Sequence, residues 1–307
     1  MKKISILVPF YNEEESLPIH LNEIFAFIKT LDTRYQFEIL LLDNHSSDRS
    51  SEFAKNASLT HPFIRWIRHS RNFGYQANIL SGYKECTGDC AVQLDADGED
   101  DPMIISKFIS NWENGYKVVY GVRIKREESW FMTLQRKLYY RLLAAISDVP
   151  IPVDAGDFRL VDRTVVNVLN NFTESNVYIR GLLSYAGFKQ VGIPYARRPR
   201  HFGVSKFSYL NYLSLGLDGV TSFSKKPLSF IAIFGLGLSL LSGVFFCIYI
   251  GLYLVGKIQV QGFTTLLAFQ LLFSGVQLLS IGVVAIYIGR VFDEVKKRPH
   301  YVIEERN

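Results

Sequence analysis

Asp95, Asp97 and Glu99 alternate along Asp95-Ala96-Asp97-Gly98-Glu99, which follows the apolar run Cys90–Leu94 without a break. Alternate residues leaving the end of a strand share a side, so these carboxylates could hold a hard divalent cation through oxygen. An EF-hand is excluded, because its glycine stands at loop position six and a helix precedes the loop. One or two carboxylates on magnesium or manganese, sharing the ion with phosphate oxygens, is the usual arrangement for nucleotide substrates. The bland alternative is a solvated acidic turn. Against it stand three more polar clusters, Tyr11-Asn12-Glu13, Asp43-Asn44 and Arg71-Asn72, each also ending an apolar run. No Gly-x-Gly-x-x-Gly follows the first such run and no P-loop signature occurs, so neither a dinucleotide site nor a Walker site is supported. The six histidines show no metal-ligand spacing. Of the three cysteines, Cys86 and Cys90 are four apart and Cys247 lies in an apolar stretch, which reads as free thiols in a reducing compartment.

These clusters need elements that bring their strand ends together. Ile4–Pro9, Glu38–Asp43, Phe63–His69 and Cys90–Leu94 read as strands, with amphipathic helices over Glu15–Leu31, Asp48–Leu59 and Gly74–Cys86 between them. Asp and Ser capping signals open the second helix. A further strand is predicted at Lys117–Gly121, and the charged stretch Arg123–Ser129 reads as a loop over the site. Strictly alternating strands and helices imply an α/β unit with a mostly parallel sheet, whose ligands sit at the carboxyl ends of the strands. The N-terminus is no targeting signal, because Pro9 and Glu13, Glu14 and Glu15 interrupt its apolar stretch.

The 48% hydrophobic content of the 307 residues is unevenly spread. Between Lys226 and Arg290 the only charged residue is Lys257, and each uncharged window exceeds the roughly 20 residues that a membrane span requires. Helices are predicted over 228–255 and 263–288. Lys225 and Lys226 before the first, and Arg290, Lys296, Lys297 and Arg298 after the second, place both termini in the cytoplasm by the positive-inside rule. Gly235, Ser239 and Gly243 form a small-residue stripe that suggests close helix contact, within the hairpin or between subunits. Trp130–Ile146 and Phe207–Phe223 mix aromatic and apolar residues, the first with arginine and lysine as well, as segments lying in a membrane interface do. A net charge of +5 falls short of a nucleic-acid-binding tail, and no nucleic-acid motif accompanies it.

Several segments together resemble glycosyltransferase family 2. They are Val8-Pro9-Phe10-Tyr11-Asn12-Glu13-Glu14, Leu42-Asp43-Asn44-His45-Ser46-Ser47-Asp48, Arg71-Asn72-Phe73-Gly74 and Asp95-Ala96-Asp97. Gly156-Asp157-Phe158-Arg159-Leu160, Arg180-Gly181, Gly203-Val204-Ser205-Lys206 and Tyr287-Ile288-Gly289-Arg290 continue the likeness. Within that family the chain is similar to the polyprenyl-phosphate glycosyltransferases, relatives of dolichol-phosphate mannose synthase, and most of all to the bactoprenol glucosyltransferase branch.

The resemblance implies a GT-A, Rossmann-like catalytic domain over 1–206, an interfacial segment over 207–226, the membrane hairpin over 227–289 and a cytoplasmic tail over 290–307. It places Pro9, Tyr11, Glu13 and Asp43 around the donor nucleoside, with Asp95 nearby. It makes Asp97 the main ligand of Mg2+ or Mn2+, with Asp95 and Glu99 close to the metal or diphosphate. Asp157 becomes a base or orienting carboxylate, against a structural role paired with Arg159 or Arg163. Arg123, Arg136 and Arg200, with Ser205 and Lys206, would hold the acceptor phosphate. Asn44 and His45 depart from the family's Asp-Asp-Gly-Ser turn, and Glu99 replaces a common amide.

The implied reaction is inverting transfer of one sugar, glucose from UDP-glucose foremost, to polyprenyl (undecaprenyl) phosphate at the cytoplasmic face of the inner membrane. Mannose, N-acetylglucosamine and aminoarabinose donors are the rivals within the class. A processive synthase is disfavoured by the missing Gln-x-x-Arg-Trp and by only two spans. A non-catalytic scaffold or flippase partner is the reading from another class, and the joint presence of Asp95, Asp97 and Asp157 argues against it. The implied partners are the nucleotide sugar, the lipid phosphate, the bilayer, a flippase, a downstream glycosyltransferase and further copies of the chain, but not nucleic acid.

Overall fold

The computed structural model describes residues 1–31, 33–124, 155–175, 177–198, 226–255 and 262–307. Arg136, Arg200, Ser205, Lys206, both predicted interfacial segments and most of the Arg123–Ser129 loop lie outside the described residues.

The chain begins β1 (Lys2–Phe10), α1 (Ser16–Lys29), β2 (Tyr35–Asp43), α2 (Ser50–Thr60), β3 (Ile64–His69), α3 (Tyr75–Glu85) and β4 (Cys90–Gln93). It continues with α4 (Ile105–Glu113), β5 (Val118–Arg123), β6 (Ala155–Asp162), α5 (Arg163–Asn170), α6 (Ile179–Tyr185) and β7 (Gln190–Tyr195). Helices α7 (Lys226–Leu254) and α8 (Phe263–Lys296) and a short strand, β8 (Ile303–Arg306), complete it. One eight-stranded sheet has the order β7-β5-β6-β4-β1-β2-β3-β8. The predicted parallel block β3-β2-β1-β4 is present, β7 joins β5 in parallel, and β6 and β8 enter antiparallel.

Strand β1 is apolar on both faces because both are covered, as in any parallel sheet flanked by helices. Ile4, Ile6 and Val8 join the core that includes Leu17, Leu21, Ile24 and Phe27 of α1 and Phe108 of α4. Leu7, Leu40 and Leu42 face the other way, among Ile79, Leu80 and Tyr83 of α3 and Val165 and Val166 of α5. Each such buried side chain contributes roughly 1.5–3 kcal/mol relative to exposure. Helix α3 lies so close to the sheet that a Cβ on Gly82 would stand 2.5 Å from Leu42 Cδ1. Helix α2 starts two residues after the predicted cap, yet Asp48 still serves its first turn by accepting from Ser50 N at 3.0 Å. The β1–β2 register ends on Phe10 beside Asp43, which sets the turns after these two strands flush against each other.

Both C-terminal helices are long and apolar enough to cross a membrane, and the candidate spans Lys226–Phe245 and Leu272–Lys296 are wholly unburied by protein. A Cβ at Gly235 or Gly243 would meet nothing within 4 Å among the described residues. Helix α8 overruns its predicted end at 288, because Arg290, Asp293, Glu294 and Lys296 carry it beyond the apolar stretch. There Ser175 donates its N–H to Glu294 Oε2 at 2.8 Å and its hydroxyl to the Asp293 carbonyl at 2.9 Å. Lys297, with φ +47°, turns the chain back towards β8 on the edge of the catalytic sheet.

Candidate active site at the carboxyl ends of the sheet

On the β1-β2-β3 side, hydrogen bonds from hydroxyls, amides and backbone N–H groups tie one turn to the next. Asn12, held at φ +55°, donates its N–H to Ser46 Oγ at 3.0 Å and accepts from Ser47 N through Oδ1 at 2.8 Å. Glu13 N donates to Ser50 Oγ at 2.8 Å, and Glu13 Oε2 accepts from the Ser16 hydroxyl at 2.6 Å. Pro9 is buried in β1, and Tyr11 and Glu13 are half-buried at its end. Asp43 is fully buried at the end of β2, with Oδ1 accepting from Ser46 N at 2.7 Å and Oδ2 facing Arg68 Nη1 at 3.1 Å. Each oxygen keeps a lone pair for a further donor.

Asn44, the residue that departs from the family turn, is a buried bridge. Its Oδ1 accepts from Phe73 N at 3.0 Å while its Nδ2 donates to Asn72 Oδ1 at 2.9 Å. An aspartate could accept but not donate here. His45 adopts φ +67°, the conformation that the family's glycine would supply. His69, which its place next to the Arg71-Asn72 strand end suggests as a pocket-lining residue, is fully buried at the end of β3, with Nε2 3.1 Å from Ser81 Oγ. Burial pushes its imidazole down to about 4, so it is neutral at physiological pH.

The β4-β6 side is built from charge. Asp95 receives the Tyr75 hydroxyl on Oδ1 at 2.6 Å, and Gln93 Nε2 supports that hydroxyl at 3.1 Å. Burial, followed by repulsion from Asp97 and Asp100, pushes the Asp95 carboxyl up to about 8. Asp97 Oδ1 accepts from Glu99 N at 3.1 Å across the turn at Gly98, where φ is +72°. Arg197 reaches this turn from just beyond β7, pairing with Glu99 and lying 3.5 Å from Asp100 and 3.8 Å from Asp97. Its neighbour Arg198 pairs with Asp101 at 2.6 Å and Glu23 at 3.0 Å. Tyr195 donates its hydroxyl to the nearly inaccessible Asp100 at 2.5 Å.

Asp157 projects from β6 beside this cluster. Arg180 on α6 grips it with two hydrogen bonds, at 2.7 and 2.5 Å, and Arg159 lies 3.5 Å away. Burial works against the charge on Asp157, yet Arg180 and then Arg159 and Arg123 hold its carboxyl below the usual range. The partner expected as an alternative, Arg163, is engaged elsewhere, with Nε donating to the Gly88 carbonyl at 2.7 Å. Arg123, at the end of β5, lies against Gly156, where a Cβ would stand 3.4 Å from Nη2. Its buried Nε has no hydrogen-bond partner among the described residues.

Among the described residues no three His, Cys, Asp or Glu side chains converge as a metal cage. The donor set fits a divalent cation that takes one or two carboxylates and completes its shell with phosphate oxygens and water. The Asp95 carboxyl is raised first by burial and then by the negative charge of Asp97 and Asp100, which such a cation would offset. Tyr75, Asp100, Arg180, Tyr195 and Arg197 complete the cluster, and no motif in the sequence assigns them these contacts. Arg180 carried a signal through the Arg180-Gly181 segment, and Arg197 through the Arg197-Arg198-Pro199-Arg200 run of basic residues just beyond a strand.

The family model for glycosyl transferase family 2 matches residues 5–169, which include every turn described above from Tyr11 to Asp157. An uncharacterized glycosyltransferase of Bacillus subtilis, YkcC, is 40% identical over 304 residues, covering 98% of this chain and 93% of that one. A bactoprenol glucosyl transferase of Shigella phage SfX is 33% identical over 310 residues, covering 99% of each chain. A solved mannosyltransferase of Pyrobaculum calidifontis, 17% identical, superposes with a TM-score of 0.47 over 69% of this chain and 59% of that one. It is too distant to carry any residue's role. The chain belongs to glycosyltransferase family 2, and its catalytic unit is a GT-A fold. It is a glycosyltransferase, with two apolar C-terminal helices able to span a membrane.

Proposed function

We propose that this enzyme transfers a single sugar, glucose from UDP-glucose, to polyprenyl phosphate at the cytoplasmic membrane face, with inversion at the anomeric carbon. One observation carries the proposal: the likeness to a bactoprenol glucosyl transferase runs end to end, through the acidic turn and both apolar helices. Pairing of β8 with β3 supports an even number of crossings, since the tail after α8 returns to the catalytic domain. Together with the basic flanks, this favours a cytoplasmic site.

In this reading Pro9, Tyr11, Glu13 and Asp43 hold the nucleoside. Asp97, with Asp95 or Glu99 beside it, would hold Mg2+ or Mn2+, which when bound stabilises the negative charge growing on the leaving diphosphate. A lipid phosphate whose second pKa is about 6 is already largely dianionic at neutral pH, so it attacks without giving up a proton. Asp157 suits that requirement. Gripped by Arg180, it stays ionised and is a weak base, which favours an orienting role. Arg123 offers an unsatisfied guanidinium N–H to an incoming phosphate. Arg136, Arg200, Ser205 and Lys206 are proposed to share that task.

The test supplies purified enzyme with undecaprenyl phosphate and labelled UDP-glucose, GDP-mannose, UDP-N-acetylglucosamine or an aminoarabinose donor, with and without magnesium or manganese. Glucolipid formed only with UDP-glucose and metal is expected. Absence of glycolipid with every donor would overturn the proposal, and a different preferred sugar would correct the donor alone.

A further inference from the structure

The strand that follows the two apolar helices lies on β3 beside Arg68, the cation paired with Asp43. Only residues 297–302 separate α8 from β8, and β8 lies antiparallel on β3, with Arg68 opposite Glu305. Through this pairing Glu304 places Oε2 3.0 Å from Arg68 Nε. The same guanidinium donates through Nη1 to Asp43 Oδ2 at 3.1 Å and also to the Ser51 hydroxyl. Glu304 further lies 3.6 Å from Nδ1 of His45, in the turn that follows Asp43. One turn earlier in the tail, Tyr301 stacks on His69 with ring centroids 5.2 Å apart, and Val302 accepts from Ser70 N at 2.9 Å.

A guanidinium is planar, so anchoring Nε to one carboxylate and Nη1 to another fixes its rotation and the direction of the bond it gives Asp43. Without Glu304, Arg68 keeps its attraction to Asp43 but loses the restraint on its plane, and the carboxylate is drawn into a tighter private pair. Asp43 would then be a poorer and less well aimed acceptor for a donor N–H on the nucleoside. We propose that the tail is a working part of the donor site, and that Glu304, acting through Arg68, is a positioning residue for Asp43. Affinity for the nucleoside end of the donor therefore depends on a strand that lies beyond both apolar helices. This rests on the reading of Asp43 as the nucleoside-binding carboxylate.

The experiment measures equilibrium binding of UDP-glucose, and of GDP-mannose in a parallel arm, to the full-length enzyme in lipid nanodiscs. Steady-state kinetics with undecaprenyl phosphate accompany it. Glu304→Gln is expected to raise Kd and KM for the donor about three- to fivefold, with kcat and the acceptor KM unchanged. Glu305→Gln removes the neighbouring tail ion pair with Lys55 and is expected to bind donor as the parent does. Arg68→Gln should weaken donor binding more, and adding Glu304→Gln to it should cost nothing further, because the two act in series. Additive effects in that cycle, an unchanged donor KM in Glu304→Gln, or an equal effect of Glu305→Gln would overturn the proposal and leave the donor reading standing. Failure of the parent enzyme to bind either nucleotide sugar would overturn both.

Discussion

The two sides of the site are stabilised by opposite means. From β1 to β3 the turns are held by serine hydroxyls, asparagine amides and backbone N–H groups, with buried Asp43 paired to the partly exposed Arg68. From β4 to β7 a cluster of carboxylates is held down by Arg180, Arg197 and Arg198. Neutral networks are insensitive to what arrives and keep one geometry. Charge-compensated clusters exchange partners when a cation or phosphate brings a better one. Under the proposed function, the first side recognises the donor and the second responds to its metal and phosphates.

The largest effect should come from the charged side. Asp97→Ala is expected to lower transfer at least about 10³-fold, comparable to the loss of a main electrostatic stabiliser, while the protein still fractionates with membranes. Persistent activity in a labelled-donor assay would remove Asp97 from the metal role. Next, Asp157→Ala leaves Arg180 without its carboxylate and should destabilise the catalytic domain by about 3–5 kcal/mol, read as a lower melting temperature in detergent. Asp157→Asn should recover part of that stability without recovering activity.

The neutral side is tested by pH. Burial holds the His69 imidazole down to about 4, against an ordinary value of 6.5. The folded protein therefore binds fewer protons than the unfolded chain between these values, and stability is lost as pH falls from 6.5 towards 4. The loss attributable to His69 is up to about 3 kcal/mol. His20 and His300 are shifted in the same direction, so the decisive measurement is the difference in melting curves between the parent and His69→Gln. The variant should show the shallower acid slope. Glu38 does not interfere, because its carboxyl, held down to about 2 by Ser5, Lys3 and Thr87 against the cost of burial, loses its contribution only below about 4.5.

The smallest effect is expected from Arg197→Gln. If Arg197 stands where positive charge is wanted, the variant should bind Mn2+ about threefold more tightly without nucleotide, measured by electron paramagnetic resonance. Weaker binding would mean that Arg197 organises the turn instead of competing for it.

The parallel block and the positions of its strand ends were legible in the sequence because buried strands with helical spacers leave a strong pattern. Asp95, Asp97 and Asp43 stand at strand ends as expected, and the helix boundaries differ by only a few residues. Antiparallel β6 and the tail strand β8 were not legible, since a four-residue strand with the sequence Ile-Glu-Glu-Arg looks like any charged tail. The contacts of Arg180 with Asp157 and of Tyr75 with Asp95 were hidden for a different reason, although Arg180-Gly181 stood among the family segments. Each side chain reaches the site from a helix distant in sequence, and their roles exist only once the fold is made. Asn44 looked like a loss of charge and proves to be a bridge between two turns, because an amide both donates and accepts.

Strand β8 also has a consequence for how the protein is made. It lies after both apolar helices in the sequence, so a ribosome synthesises the whole hairpin before β3 can receive its antiparallel neighbour. Until then β3 is an open sheet edge, the kind of surface that recruits other chains. Closure of that edge joins residues about 236 positions apart, and such long-range pairing forms slowly. The nascent enzyme therefore passes through a stage with its catalytic sheet otherwise assembled and its nucleotide side unfinished.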